Sequence, residues 1–165
     1  MESKLRQQGG FTLIEGLIAT AILGVGLLGL AGMQGISLSR NVDSNELGRV
    51  TNIAADMMER IKFNRRNALS YQGIDTIVGC ATVPAAQLMA RGDCTQWKTL
   101  VDSSGLGSAD GIVTVTRLDA DPALNPVTLN QFSVMVRISW TGSMKSENST
   151  TRAKTVVFAS VLAPE

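Results

Sequence analysis

The stretch Gly10-Phe11-Thr12-Leu13-Ile14-Glu15 opens the most apolar part of this 165-residue chain. Apolar residues predominate from Phe11 to Met33, and Glu15 is the one charged side chain among them. A helix of that length spans about 30 Å of hydrocarbon, so the stretch predicts a transmembrane helix. A charge at membrane depth costs about 2.5–3.5 kcal/mol on insertion scales, and such groups usually have a partner and a function.

The ten residues before Phe11 are polar and net basic, with Lys4 and Arg6 against Glu2. Positive charge beside a membrane span favours the cytoplasmic side, which places the rest of the chain outside the cytoplasm. Two ordinary alternatives fit the same segment. Ala19-Thr20-Ala21 is similar to a conventional cleavage site, and the helix could be a plain single-span anchor. Neither alternative gives Glu15 a role, and the apolar stretch continues well beyond Ala21.

A glycine, an apolar residue and a glutamate at this offset resemble the class III signal of type IV pilins and their relatives. The resemblance implies that a prepilin peptidase removes residues 1–10 by cutting after Gly10 and methylates the new N-terminus at Phe11. It also implies an assembly role for Glu15. In a filament its carboxylate would neutralise the Phe11 ammonium of a neighbouring subunit, because a buried charge needs a partner.

Composition excludes several classes of function. The chain has no histidine, the commonest general base and metal ligand, and carries a net charge of only +1. No basic stripe or nucleic-acid motif is present, so no nucleic-acid partner is inferred. The aspartates of Asp119-Ala120-Asp121, with Asp102 and Asp110, could offer oxygen ligands to calcium, but no twelve-residue EF-hand pattern is present and loop aspartates usually cap turns. We therefore expect a non-enzyme without metal or cofactor.

Cys80 and Cys94 are the two cysteines of the chain. In a chain exported by its N-terminal signal, a structural disulfide between them is the favoured interpretation. Two free thiols are the alternative that the sequence leaves open.

The first helix is predicted to continue beyond the membrane as an amphipathic half. Its apolar positions alternate spacings of three and four and therefore share one face. The polar stretch Ser37–Ser44 predicts an interruption between the two halves, and Asn64-Arg65-Arg66-Asn67 predicts the end of the helix. The expected core face consists of Leu47, Val50, Ala54, Met57 and Ile61.

Residues 67–111 contain several turn signals and are expected to be irregular. Within them, Asp93 followed by Gln96 predicts a helix start, with Trp97, Leu100 and Val101 on one face. Leu88 and Trp97 are the expected core residues of this segment.

The last third of the chain predicts three strands. Ile112–Leu118 is rich in β-branched residues, Phe132–Trp140 alternates apolar with polar residues, and Thr155–Leu162 is more continuously apolar. The predicted fold is α+β, with an antiparallel sheet laid against the long helix. Its expected organisation is a leader (1–10), a transmembrane and assembly helix (11–35) and a periplasmic head (36–165).

Weaker similarities extend the resemblance beyond the signal. Ala55–Ile61, Leu88 with Trp97, and Val136–Trp140 resemble minor pilins of the PilV type, and the lack of proline in the apolar helix favours a minor pilin or pseudopilin. The resemblance implies a pilin-like fold in the bacterial inner membrane and possible entry into the pilus. The implied partners are other minor and major pilins, the inner-membrane assembly platform and the lipid bilayer. A minor pseudopilin of a type II secretion system and a membrane-tethered periplasmic binding protein are the alternatives.

Overall fold

The computed structural model describes residues 12–121, 123–124, 129–142 and 152–163. Gly10 and Phe11 lie outside these residues. The order of elements is one long α-helix, two short 3-10 helices, a second α-helix and three strands. The chain divides into two compact units between Asn41 and Val42.

Helix α1 runs from Leu13 to Phe63 as one uninterrupted element. The prediction of a break at Ser37–Ser44 was wrong. That stretch contains no proline, so its polar side chains leave the backbone hydrogen bonds of the helix intact. The predicted end of the helix at Asn64 is confirmed.

The part of α1 before Val42 buries none of its large apolar side chains. All of those from Leu13 to Leu38 are at least 55% exposed. Exposed apolar surface on this scale needs lipid or other helices to cover it.

The part of α1 after Asn41 packs one face into the core of the head. Val50, Ala54, Met57 and Ile61 are fully buried, as their spacing predicts. Leu47 belongs to the same predicted face but is 49% exposed, so its assignment to the core was wrong. The physical reason is that Leu47 borders an open groove with Trp140 and residues 152–155, which leaves its side chain open to solvent.

The sheet contains β1 (Gly107–Arg117), β2 (Phe132–Thr141) and β3 (Ala153–Leu162) in the antiparallel order β1-β2-β3. Val113 pairs with Val136, and Ile138 pairs with Val156. The inward residues of β2 are at most 4% exposed, which confirms the predicted alternation: Phe132, Val134, Val136, Ile138 and Trp140. The α+β prediction is confirmed.

Helix α2 spans Leu88–Asp102, within the segment expected to be irregular. The predicted start at Asp93 was wrong, because the chain enters the helix five residues earlier and carries Gly92 inside it. Leu88 is 79% exposed, so its assignment to the core was wrong, and Leu100 is 39% exposed although it was expected to share a face with Trp97. Trp97 and Val101 are buried as predicted.

The connection between the two α-helices is built from short ordered pieces. A 3-10 helix at Arg65–Tyr71, which the sequence did not predict, buries Ala68 and Tyr71. Residues 73–76 then lie along the outer edge of β1. A disulfide joins Cys80, in the 3-10 helix Cys80–Thr82, to Cys94 of α2.

Candidate assembly site

Glu15 lies in the first turn of α1, where it also interacts with the start of its own helix. The helix begins at Leu13, so Thr12 is the residue before it and Glu15 is its third residue. The Glu15 Oε2 accepts from the Thr12 backbone N–H at 3.5 Å and from Thr12 Oγ1 at 3.4 Å. These contacts form one half of a capping box, since the Glu15 N–H donates to the Thr12 carbonyl and not to its hydroxyl. Our sequence analysis missed them, although Thr-x-x-Glu at a helix start is the usual signal.

The capping contact gives Glu15 a local role without removing its charge. A carboxylate is favoured at a helix N-terminus by the macrodipole, and both contacts are long for hydrogen bonds. Glu15 is exposed, and the described residues bring no cation to it. The carboxylate is therefore available to a positive group that is supplied from elsewhere. Its predicted partner, the ammonium of Phe11 in a neighbouring subunit, stays a prediction.

The helix that carries Glu15 is the one described helix long and apolar enough to cross a membrane. None of its most apolar window is buried inside the protein, unlike the core helix of a soluble domain. Gly26, Gly29 and Gly32 repeat along it, and no other described part of the chain lies within 4 Å of where their Cβ atoms would be. Close helix approach at these glycines would therefore require another chain.

A second polar cluster joins α1 to the sheet inside the head. Lys154 Nζ of β3 lies 2.6 Å from Asp43 Oδ1 and 2.8 Å from Glu46 Oε2. Trp140 Nε1 of β2 donates to the same Glu46 oxygen at 3.2 Å. Burial disfavours the charged amine, but its hydrogen bonds to Asp43 and Glu46 outweigh this and raise the pKa of Lys154. No local sequence signal connects these residues, which lie about a hundred positions apart.

A third cluster connects α1, the 3-10 helix and α2. Arg60 Nε lies 2.7 Å from Asp56 Oδ2, and its Nη1 donates to Asp93 Oδ1 at 3.2 Å and to Gln96 Oε1 at 2.7 Å. Tyr71 OH donates to Asp93 Oδ2 at 2.5 Å and accepts from Asn64 Nδ2 at 3.0 Å. Asp93 and Gln96, predicted to start a helix, therefore bind partners across the head.

This third cluster lies beside a groove on the surface of the head. The groove is lined by Asp56, Glu59, Arg60, Lys62, Phe63, Met89 and Asp93. Arg60 is bound to carboxylates, and Lys62 Nζ is paired with Glu59 Oε1 at 2.9 Å. Its cations are thus neutralised within the head, and the groove does not present converging free cations to a ligand.

The acidic residues considered for calcium are used in local structure. Asp102 pairs with Lys98 at 3.0 Å, Asp121 lies 3.7 Å from Arg117, and Asp119 accepts the Gln131 N–H at 2.8 Å. In the described part of the chain, no group of three or more metal-ligating side chains converges. These contacts are sufficient to explain why the aspartates occur where they do.

Comparison with known proteins adds one match. The family described as the prokaryotic N-terminal methylation motif matches residues 5–31, which include Gly10, Phe11 and Glu15. No curated protein and no solved structure matched the chain. The match supports a type IV pilin-like protein, a description that includes pseudopilins, and it implies processing by a prepilin peptidase. Together with the apolar helix, it indicates a membrane-anchored protein.

Proposed function

We propose that this protein is a minor pilin, similar to the PilV type, that primes or modulates assembly of a type IV pilus from the inner membrane. The observation that carries the proposal is the methylation motif at the start of a helix whose apolar surface is not covered by the described residues. In this proposal the head, residues 36–165, lies in the periplasm. Incorporation into the fibre would give the protein a part in twitching motility or adhesion.

The assembly role follows from the physics of the processed N-terminus. Cleavage after Gly10 creates an ammonium on Phe11 at the start of an apolar helix. When such helices pack together away from water, that ammonium needs a carboxylate, and Glu15 is the only one on the apolar part of α1. An ion pair between neighbouring helices also fixes their axial register, as a polar contact does in an apolar seam.

The alternatives differ in what they require from the head. A membrane-tethered binding protein needs converging polar groups that are free to contact a ligand. In the groove beside Arg60, both Arg60 and Lys62 are already paired with carboxylates. A minor pseudopilin of a type II secretion system uses the same signal and helix. Deleting the gene in its host separates these two: loss of surface pili supports the pilin, and loss of protein secretion with normal pili supports the pseudopilin.

Processing provides the direct test of the proposal. We expect mass spectrometry of the mature protein to find N-methylated Phe11 at its start. Gly10→Val should leave the leader attached, because a branched side chain hinders access of a peptidase to the backbone beside it. Ser3→Val, inside the leader, is the control and should be processed normally. A mature N-terminus at Ile22 would indicate a conventional signal peptidase and contradict the proposal.

A further inference from the structure

The sheet of the head is closed at one edge and open at the other. Residues 73–76 cover the outer edge of β1: Gly73 N–H donates to Val113 O at 3.1 Å, and Val113 N–H donates to Ile74 O at 2.9 Å. Strand β3 is the other edge, and no described residue pairs with its outer side. Every second backbone N–H and C=O group of β3 therefore has no partner there among the described residues.

The core is also incomplete on the β3 side. The inward residues of β2 are almost fully buried, whereas two of the three inward apolar residues of β3, Val156 and Phe158, are only partly buried; the third, Leu162 at the end of the strand, is buried. Leu47 of α1 is 49% exposed although its position on the helix points it toward the core face. The described residues therefore leave all three apolar side chains partly open to solvent.

A groove lies where β3 begins, between that strand and α1. It has a volume of about 410 Å³ and is lined by Asp43 and Leu47 of α1, Trp140 of β2, and residues 152–155. The charged Lys154 in its wall is held by Asp43 and Glu46, so it does not repel an apolar occupant as a free charge would. The concave surface and the open strand edge are thus adjacent.

Strand β3 carries one charged residue, the inward-pointing Lys154 near its start, and beyond it the sequence lacks the usual protection of an edge strand. Such strands normally carry charges, prolines or bulges that prevent pairing with other chains. Residues 155–162 contain no charged residue, no proline and no glycine, and β3 pairs with β2 in an unbroken register from Thr141 to Phe132. Val157 and Val161, on the solvent face of β3, are 50% and 59% exposed.

We propose that the outer edge of β3 is a docking site for an extended segment of another protein chain, which joins the sheet as a fourth strand. Backbone groups of the segment pair with β3 and supply affinity. Apolar side chains at every second position of the segment cover Val156, Phe158 and Leu47, and supply specificity. A helix does not fit this site, because its backbone groups are already paired and cannot bond to the edge.

The loop between β2 and β3 does not have the composition of the missing strand. Residues 143–151 contain one apolar side chain, Met144, among nine residues. That loop therefore does not supply the proposed strand, which we assign to a partner chain. This inference stands on the sheet alone and does not depend on the assembly role of Glu15.

Photo-crosslinking in host membranes tests the site with the full chain. A photoreactive amino acid replaces Val157 or Val161 in turn, and Met135 serves as the control. Met135 belongs to the neighbouring strand β2, where it lies opposite Ala159 of β3 and is 42% exposed. It therefore does not reach the open edge of the sheet. We expect crosslinks from both edge positions to one short stretch of one partner, shifted by about four residues between the two positions, as strand pairing requires.

Several outcomes decide between occupants. Crosslinks between two copies of this chain would identify the partner strand as a second copy. Crosslinks from Val157 no stronger than those from Met135, or spread over unrelated parts of several proteins, would overturn the proposal.

A substitution gives a second, independent readout. Val157→Lys places a charge on the open edge at an exposed position, and we expect it to reduce crosslinking from position 161 about tenfold. Met135→Lys should leave that crosslinking unchanged, and both variants should keep the melting temperature of the parent. Undiminished crosslinking in folded Val157→Lys would contradict strand addition at this edge.

Discussion

Trp97 joins three elements of the head. It belongs to α2, its Nε1 donates to the Ile53 carbonyl of α1 at 2.9 Å, and its ring lies directly over Gly111 of β1. The ring is fully buried, so its position is fixed by contacts on every side. A tryptophan packed in this way leaves no space for an additional atom, because protein interiors are close-packed.

Gly111→Ala tests this packing. The added Cβ would lie 2.5 Å from Trp97 Cη2, which forces the ring or strand to move. We expect a loss of about 1–3 kcal/mol in the free energy of unfolding, measured by denaturant titration of the full chain in detergent. Gly92→Ala is the matched control: nothing lies within 4 Å of its Cβ position in α2, so it should stabilise the helix by about 1 kcal/mol. Equal stability of parent and Gly111→Ala would show that the ring is not held.

Lys154 and Tyr71 make the head sensitive to alkaline pH. Hydrogen bonds to Asp43 and Glu46, acting against desolvation, raise the pKa of Lys154. Desolvation and the hydrogen bond to Asp93 raise the pKa of Tyr71. For both groups the folded protein holds its proton more tightly than the unfolded chain. Their contribution to stability is therefore fully present below pH of about 10 and is lost as pH rises through the folded pKa values.

We expect the free energy of unfolding to vary little between pH 7 and 9 on account of these groups, and to fall steeply above pH of about 10. Tyr71→Phe should make that fall shallower, because it removes one of the two titrating groups. The measurement is denaturant unfolding of parent and variant at each pH. A parent whose stability did not change up to pH of about 11 would contradict the assigned interactions.

At the scale of elements, sequence periodicity predicted which side chains of β2 and α1 face the core. The alternation of β2 and the buried positions Val50, Ala54, Met57 and Ile61 of α1 follow from side chains that face one core. Leu47 has the same spacing yet is half exposed, because burial also requires another element opposite. Periodicity identifies the apolar face of a helix but does not show how far along the helix other elements pack against that face.

The start of α2 shows a different limit. Asp93 and Gln96 have the local pattern of a helix start, but both bind Arg60 of α1, and the helix begins at Leu88. The contact between Lys154 and Glu46 is equally invisible to local reasoning, since 108 positions separate them. Local signals also failed at Thr12, where one half of a capping box was present and was overlooked. Interactions between distant residues depend on the fold and could not be predicted from patterns.

The disulfide holds the connection between Tyr71 and α2 against the rest of the head. Cys94 is fully buried and Cys80 packs against the core. Cross-linking residues 14 positions apart contributes about 3 kcal/mol in the chain-entropy model. We expect Cys80→Ser, compared with the parent without reductant, to lower the free energy of unfolding by about 2–4 kcal/mol.

Two further measurements complete that prediction. Non-reducing peptide mapping of exported protein should recover Cys80 and Cys94 in one linked pair. With reductant present, parent and Cys80→Ser should unfold at similar denaturant concentrations. Rapid alkylation of both cysteines in the folded, unreduced parent would contradict a structural bridge.

At the scale of the whole molecule, the two units of the chain differ in whether they bury their own apolar side chains. The unit from Val42 onward closes a core around Trp97, Tyr71 and the inward face of the sheet. The large apolar side chains of the described residues before Val42 are all exposed. The first unit therefore requires a membrane or other helices to cover its apolar side chains. In the proposed assembly it lies first in the membrane and then among the helices of other subunits. The length and composition of an apolar segment are read directly from the sequence, which therefore predicts a membrane helix at this end of the chain.

The central claim is that the charge of Glu15, and not only its capping of α1, is needed for assembly. Two substitutions in the native host separate these roles. Glu15→Gln keeps an oxygen that can accept from Thr12 but removes the charge, whereas Glu15→Ala removes both. A plain anchor should tolerate either change, since the carboxylate only adds cost in a membrane. Breaking a buried ion pair costs about 3–5 kcal/mol, enough to reduce incorporation by orders of magnitude.

The decisive measurement scores membrane level, leader cleavage and assembly together for parent, Glu15→Gln and Glu15→Ala. Assembly is followed as surface pili and as the amount of this protein recovered in sheared fibres. We predict that both variants are inserted and cleaved normally and that both fail in assembly to a similar degree. Normal piliation and normal incorporation of Glu15→Gln, at a normal protein level, would contradict the claim and leave Glu15 as a helix cap alone.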